Sequence, residues 1–146
     1  MADNPRELAK AHLLCGALFF AMRSCEYLWV SHLERRTRIA RAKDVVFRLG
    51  PKVIEHDDLD DEEPDSVSID FGCQKSEIKN ETVTQDATDD PQLNPVWHWK
   101  YTIQRLRSYP KYSDKWPVST FHDGTKFSRI ISREMLILIR AAVDFI

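Results

Sequence analysis

Residues 19–30 read FFAMRSCEYLWV and place Arg23 and Glu26 inside one of the most apolar segments of the chain. A charge taken out of water is costly unless it is paired or neutralised. Two arrangements meet that demand. Either the two residues, three apart on a helix, form an ion pair that stabilises their own helix, or Glu26 braces Arg23 while the guanidinium faces an anion from outside the chain.

Toward the N-terminus the pattern predicts one long helix from Pro5 to Val30, with Asn4 as N-cap, Pro5 at the first helical position and Glu7 in the first turn. From Leu13 onward the segment is apolar on nearly all sides, which predicts a central helix and not a surface one. Beyond it comes ERRTRIARAK, with five Lys or Arg between Arg35 and Lys43. Such a stretch is either a solvated face or a set of contacts to a phosphate backbone.

DVVFRLGPKVI follows, with β-branched residues around a Gly-Pro turn, and predicts a strand or strand pair. Eight of the 23 acidic residues then crowd between Glu55 and Asp65 with no Lys or Arg among them, which predicts a solvated, mobile loop. That run has neither the glycine nor the alternating oxygen-ligand spacing of a calcium loop. Val67, Ile69, Phe71 and Cys73 alternate as in a half-buried strand, and ETVTQ returns, so the two form a hairpin with Lys75 and Lys79 at its tip. Val96, Trp99, Ile103 and Leu106 recur at helical spacing. A loop with a short hairpin around Asp123-Gly124 comes next, and a final helix runs from Ser132, its expected N-cap, to the last residue. The abrupt apolar end at Phe145-Ile146 suggests a fold that continues.

These elements predict an α+β fold, mainly helical with a small antiparallel sheet or hairpin, within one domain of 146 residues. The composition, 42% hydrophobic and 30% charged, excludes a disordered chain. The formal net charge is -2, but without the acidic run 21 basic residues face 15 acidic ones, a balance of +6 that suits a polyanion partner. Three cysteines without C-x-x-C spacing argue against a zinc site or disulfide framework and for a reducing intracellular compartment. The apolar run from Leu13 to Met22 is too short to span a bilayer, and MADNPRE lacks the basic start of a secretory signal. His98 and His122 show no partner pattern, and Trp97 and Trp99 read as core or cap packing.

The stretch GALFFAMRSCEYLWV resembles the first arginine motif of the tyrosine recombinase (phage integrase) superfamily, an apolar helix carrying an Arg with Glu three residues later. The pieces MRSCEY, RRTRIARAKDVVF, DSVSIDFGCQKSEIKNETVTQDATDDPQLNPVWHW and VSTFHDGTKFSRIISREML together resemble its Crypton-like mobile-element branch over most of the chain from Leu13. The resemblance implies an enzyme that breaks and rejoins DNA through a covalent phosphotyrosyl intermediate, with no metal and no cofactor. Charge gathers on the non-bridging oxygens during attack at phosphorus, so fixed cationic groups are needed there, and the planar guanidinium binds phosphate bidentately. A general acid must protonate the leaving sugar oxygen.

Carried over residue by residue, Arg23 matches the first catalytic arginine and Glu26 the acid that braces it. Lys75 matches the hairpin lysine that assists the leaving group, with Lys79 the alternative because the register at the tip is open. Arg35, Arg36, Arg38, Arg41, Lys43 and Lys79 are the candidates for DNA-backbone contact. The family's His-x-x-Arg pair and nucleophilic Tyr follow the SREM helix, inside which the chain ends. HLER, His32 to Arg35, comes too early in that order, and Tyr27, Tyr101, Tyr109 and Tyr112 all precede the nucleophile's place. The resemblance therefore implies the front half of a catalytic domain, inactive alone, without the helical DNA-clamping domain or the C-terminal catalytic helices. Double-stranded DNA is the implied partner, with homo-oligomers forming on DNA in the full-length family, no membrane partner and a nuclear location. The rival readings are a non-enzymatic DNA-binding remnant and an unrelated α+β interaction module.

Overall fold

A computed structural model describes residues 4–29, 39–71 and 81–144, the side chains of residues 24 and 142–144 excepted. The expected long helix is two pieces, α1 (Pro5–Phe19) and the single turn α2 (Ser24–Tyr27). Asn4 caps α1 as expected, its side chain accepting from the N–H groups of Arg6 and Glu7. At the other end Ala21 takes φ +50°, in the left-handed region. The Met22 N–H reaches the Ala17 carbonyl and the Ala21 N–H the Leu18 carbonyl, both at 3.1 Å. This is the Schellman arrangement that ends many helices, here with alanine where glycine is usual. Nor is α1 buried all round. Ala9, Leu13, Gly16, Ala17 and Phe20 form one inward stripe, while Leu18 is 69% exposed.

The expected strand pair is present as β1 (Val45–Leu49) and β2 (Lys52–Ile54), joined through Gly50 at φ +58° and Pro51. The expected hairpin is present as β3 (Ser66–Phe71) and β4 (Glu81–Asp86). All neighbours are antiparallel, in the order β2-β1-β3-β4, with Phe47 opposite Val67 and Ile69 opposite Val83. Val67, Ile69 and Phe71 are buried as the alternation required, and Cys73 lies outside the described residues; the strand is not half-buried, however, because Ser66 on its other face is buried as well. Ser68 is buried too, satisfied by the Arg48 guanidinium at 2.7 Å and the Thr84 hydroxyl at 2.8 Å.

Helix α3 (Pro95–Arg107) buries Val96, Trp99, Ile103 and Leu106, the four positions its spacing singled out. It packs on α1 at a close crossing, where the Trp99 indole N–H donates to the Gly16 carbonyl at 3.0 Å. A Cβ on Gly16 would stand 2.8 Å from Trp99 Nε1, so the crossing requires glycine.

The acidic run is not a free loop. Leu59 anchors it with no exposure, and its carboxylates follow the outer face of α3. Glu63 pairs with Lys100 at 2.7 Å, Asp60 accepts from Gln104 at 2.7 Å, and Asp57 pairs with Arg107. Those partners are spaced i, i+4, i+7, so one helical stripe matches the run that was expected to be mobile. Part of the basic excess is thereby neutralised within the fold.

The short hairpin around Asp123-Gly124 is β5 (Thr120–His122) and β6 (Phe127–Arg129), followed by α4 (Ser132–Asp144). Ser132 is the first helical residue and not the cap. Glu134 serves there instead, accepting the Ile131 N–H at 3.1 Å. The same carboxylate takes Arg6 Nε at 2.7 Å and Nη2 at 2.8 Å, tying the start of α1 to the start of α4. The Arg6 partnership holds Glu134 down to about 2. One hydrophobic core joins α1, α2, the four-stranded sheet, α3, the β5 strand and α4, which is the α+β fold expected.

Candidate functional site

Arg23 stands at the turn between α1 and α2, its side chain exposed. The turn exists because α1 ends at Ala21 and the chain restarts at once as a new helical turn. Glu26 supplies what that start lacks. Its Oε1 accepts the backbone N–H of Arg23 at 2.6 Å, and the Arg23 carbonyl accepts the Glu26 N–H at 2.8 Å. This is the reciprocal half of a capping box, with the acid at the third helical position bonded back to the cap.

The ion pair weighed as one reading of Arg23 and Glu26 is thus not the contact made. Glu26 is only 8% exposed and holds the Arg23 main chain, while the guanidinium makes no ion pair among the described residues. Glu26 also ties in the next segment, because its carbonyl accepts the Ala40 N–H at 2.8 Å. Arg41 follows directly. Its Nε lies 3.4 Å from Asp44 Oδ2, and the same carboxylate oxygen takes its backbone N–H at 2.9 Å, so Arg41 is engaged within the fold. Lys43 is exposed and borders a cleft of about 420 Å³ shared with Asp57, Arg107 and Asp114. Lys75, Lys79, Arg35, Arg36 and Arg38 lie outside the described residues.

Two groupings escaped the sequence reading. His12 and His98 meet in the interior, Nδ1 to Nδ1 at 3.0 Å, with His12 stacked on Tyr101 at 3.8 Å between ring centroids. His98 Nε2 lies 2.8 Å from the Gln92 carbonyl, which must accept the proton there, so His98 Nδ1 accepts from His12. Burial, with His98 and Arg105 adding to it, lowers His12 to about 4. The spacing His12 to His98 carries no local signal, since only the α1–α3 crossing brings them together. The second grouping surrounds Trp29. Its backbone N–H donates to the Ile130 carbonyl at 3.0 Å, and the Arg129 guanidinium carbon sits 3.9 Å above its ring. The segment that follows α2 therefore lies against the β6–α4 junction.

Comparison with models of protein families, with curated proteins and with solved structures finds no match to this chain. Among the described residues no group of three or more His, Cys, Asp or Glu is arranged to hold a metal ion, and no helix is long and apolar enough to cross a membrane.

Proposed function

We propose that this chain is a DNA-binding portion of a tyrosine recombinase-like catalytic domain, in which Arg23 contacts a backbone phosphate. One observation carries the reading: an exposed arginine without an ion-pair partner among the described residues, whose main chain is locked by a buried glutamate. A purely structural pair would have joined the two side chains. Here the carboxylate fixes the backbone and leaves the guanidinium's fork open, which is the pre-organisation that bidentate phosphate binding uses. The ordered motif resemblance adds the class of anion. Lys75, or Lys79, is the lysine that reading assigns to the leaving group, and Lys43 is an exposed cation beside the same segment. The resemblance assigns no nucleophile to these residues, so the expected activity is binding without strand cleavage.

Salt-dependent binding to duplex DNA tests this. The wild-type chain should bind at low salt with a steep dependence on salt concentration. Arg23→Ala should weaken binding and flatten the slope of log K against log salt by about 0.9, one phosphate contact. Arg23→Lys should keep the slope and recover only part of the affinity, since a point charge replaces the fork. Absence of binding above background at low salt sinks the proposal. A covalent adduct on nicked DNA would instead overturn its inactive half.

A second reading, an α+β protein-interaction module, has its own observation. Leu136 at 47% and Ile137 at 61% exposure leave an apolar stripe on α4 with Arg133 and Arg140 beside it. Leu136→Glu and Ile137→Glu together separate the two readings, because duplex binding through Arg23 should survive both changes.

A further inference from the structure

The β5–β6 hairpin presents two different faces. Strand alternation puts Phe127 and Arg129 on one of them and Ser128 on the other, where the Arg6 guanidinium donates to its hydroxyl at 2.9 Å. On the Phe127 and Arg129 face lies a cleft of about 460 Å³ walled by Trp29, Trp116, Phe127, Arg129, Thr120 and Ile131. Trp116 meets Phe127 edge to face at 5.0 Å between centroids. The Arg129 guanidinium carbon sits over the Trp29 ring. Phe127 is 43% and Ile131 38% exposed, so the walls are apolar surface that water still covers. Among the described residues no carboxylate lines the cleft, although acidic residues outnumber basic ones in the chain.

We infer that this cleft takes an unpaired nucleobase of a DNA strand, with Arg129 meeting the adjoining phosphate. The inference rests on the DNA reading above and names what lies beside its phosphate contact. Aromatic walls suit the flat, apolar faces of a base, and stacking of this kind tolerates any sequence because every base has a π-face. Arg129 makes no ion pair among the described residues, and a cation beside a stacking wall matches a ligand that joins a planar ring to an anion. An apolar peptide would fill the walls and leave that cation unmatched. Position agrees as well, since Trp29 lies six residues past Arg23 and two residues beyond α2, the turn that Arg23 caps. A strand whose phosphate met Arg23 and whose duplex opened there would have its free base next to the cleft.

Fluorescence anisotropy with three labelled probes tests this on the whole chain: a twelve-residue oligothymidylate, a twelve-residue abasic strand of equal charge, and a duplex. The oligothymidylate should bind at least about fivefold more tightly than the abasic strand, the low end of one stacked base. Phe127→Ala should erase that difference while leaving abasic binding unchanged, and Phe127→Tyr should retain it. Phe127 is surface-exposed, and an unchanged circular dichroism spectrum establishes that the variants fold. Arg129→Gln should weaken both single strands. Equal binding of the two strands by wild type, or a difference that survives Phe127→Ala, overturns the assignment. Tighter binding of thymidine 5′-monophosphate than of the oligothymidylate also overturns it, by giving the cleft to free nucleotides. If the duplex binds and the strand preference is absent, the cleft inference alone fails; if no probe binds at low salt, the DNA reading fails first.

Discussion

The α1–α3 crossing and the corner where α2 meets β6 and α4 use the same residue types for opposite ends. At the crossing, Trp99 is wholly buried and its indole N–H is satisfied by Gly16. At the corner, Trp29 is half-buried and the Arg129 cation sits over its ring. At the crossing His12 and His98 satisfy each other, whereas at the corner Arg23 and Arg129 have no ion-pair partners among the described residues. The lesson is that a polar or aromatic side chain is assigned to structure or to recognition by whether its directional groups find partners inside the fold. Residue type alone does not decide it.

The sharpest way to break this comparison is to truncate both tryptophans. Trp99→Ala should cost about 3–5 kcal/mol in a denaturant titration, because a large cavity opens between α1 and α3. Trp29→Ala should cost about 1 kcal/mol, near the worth of its cation–π contact. Equal losses would mean that the corner is core after all.

Acidification comes next in size. His12 titrates at about 4 folded against 6.5 unfolded, so the unfolded chain takes up the proton first. Stability from this group is complete above pH 6.5 and is lost as pH falls toward 4, by up to roughly 3 kcal/mol. Glu134, held at about 2, loses its share only below its ordinary value of 4.5, so the two windows separate. A pH series of denaturation midpoints should flatten between 6.5 and 4.5 in His12→Gln. A slope identical to wild type would remove the buried pair from the account.

Glu26→Ala tests the corner's scaffold. Loss of the carboxylate cap should cost about 1–2 kcal/mol and lower duplex affinity as Arg23→Ala does. Stability lost with affinity intact would detach Glu26 from the proposed site. The smallest effect is a gain. Ala21→Gly relieves a left-handed alanine at the helix end, and should add about 0.5–1 kcal/mol after the greater freedom of glycine in the unfolded chain is offset. Thermal midpoints should rise by about 2–3 °C for a chain of this size.

Much of the fold was legible because periodicity reports burial directly. The four inward positions of α3, the alternation of β3 and the Gly50-Pro51 and Asp123-Gly124 turns each announced their element. The split between α1 and α2 was hidden for a specific reason. Its left-handed position holds Ala21, and the usual glycine signal is missing. The docking of the acidic run was hidden because the charge density from Glu55 to Asp65 reads as self-repulsion until the stripe Lys100, Gln104 and Arg107 is set against it.

Of the candidate site, the sequence marked Arg23 and Glu26 as an anomaly in apolar surroundings. It left the nature of their contact open, since an i, i+3 spacing fits a side-chain pair and a backbone brace equally well. The aromatic cleft had no local signal at all, because Trp29, Trp116 and Phe127 lie in three separate segments.

The sequence by itself therefore determined the local elements, the hydrophobic faces and the presence of two charges that needed a reason. Only the tertiary structure decided which polar groups were satisfied inside the fold and which were left facing outward. The physical cause is range. Backbone propensity and side-chain periodicity act over a few residues, whereas Glu26 with Ala40, His12 with His98, and Trp29 with Arg129 meet across 14, 86 and 100 positions of chain. Those meetings follow from how α1, the sheet and α4 close on one core, which no short stretch encodes.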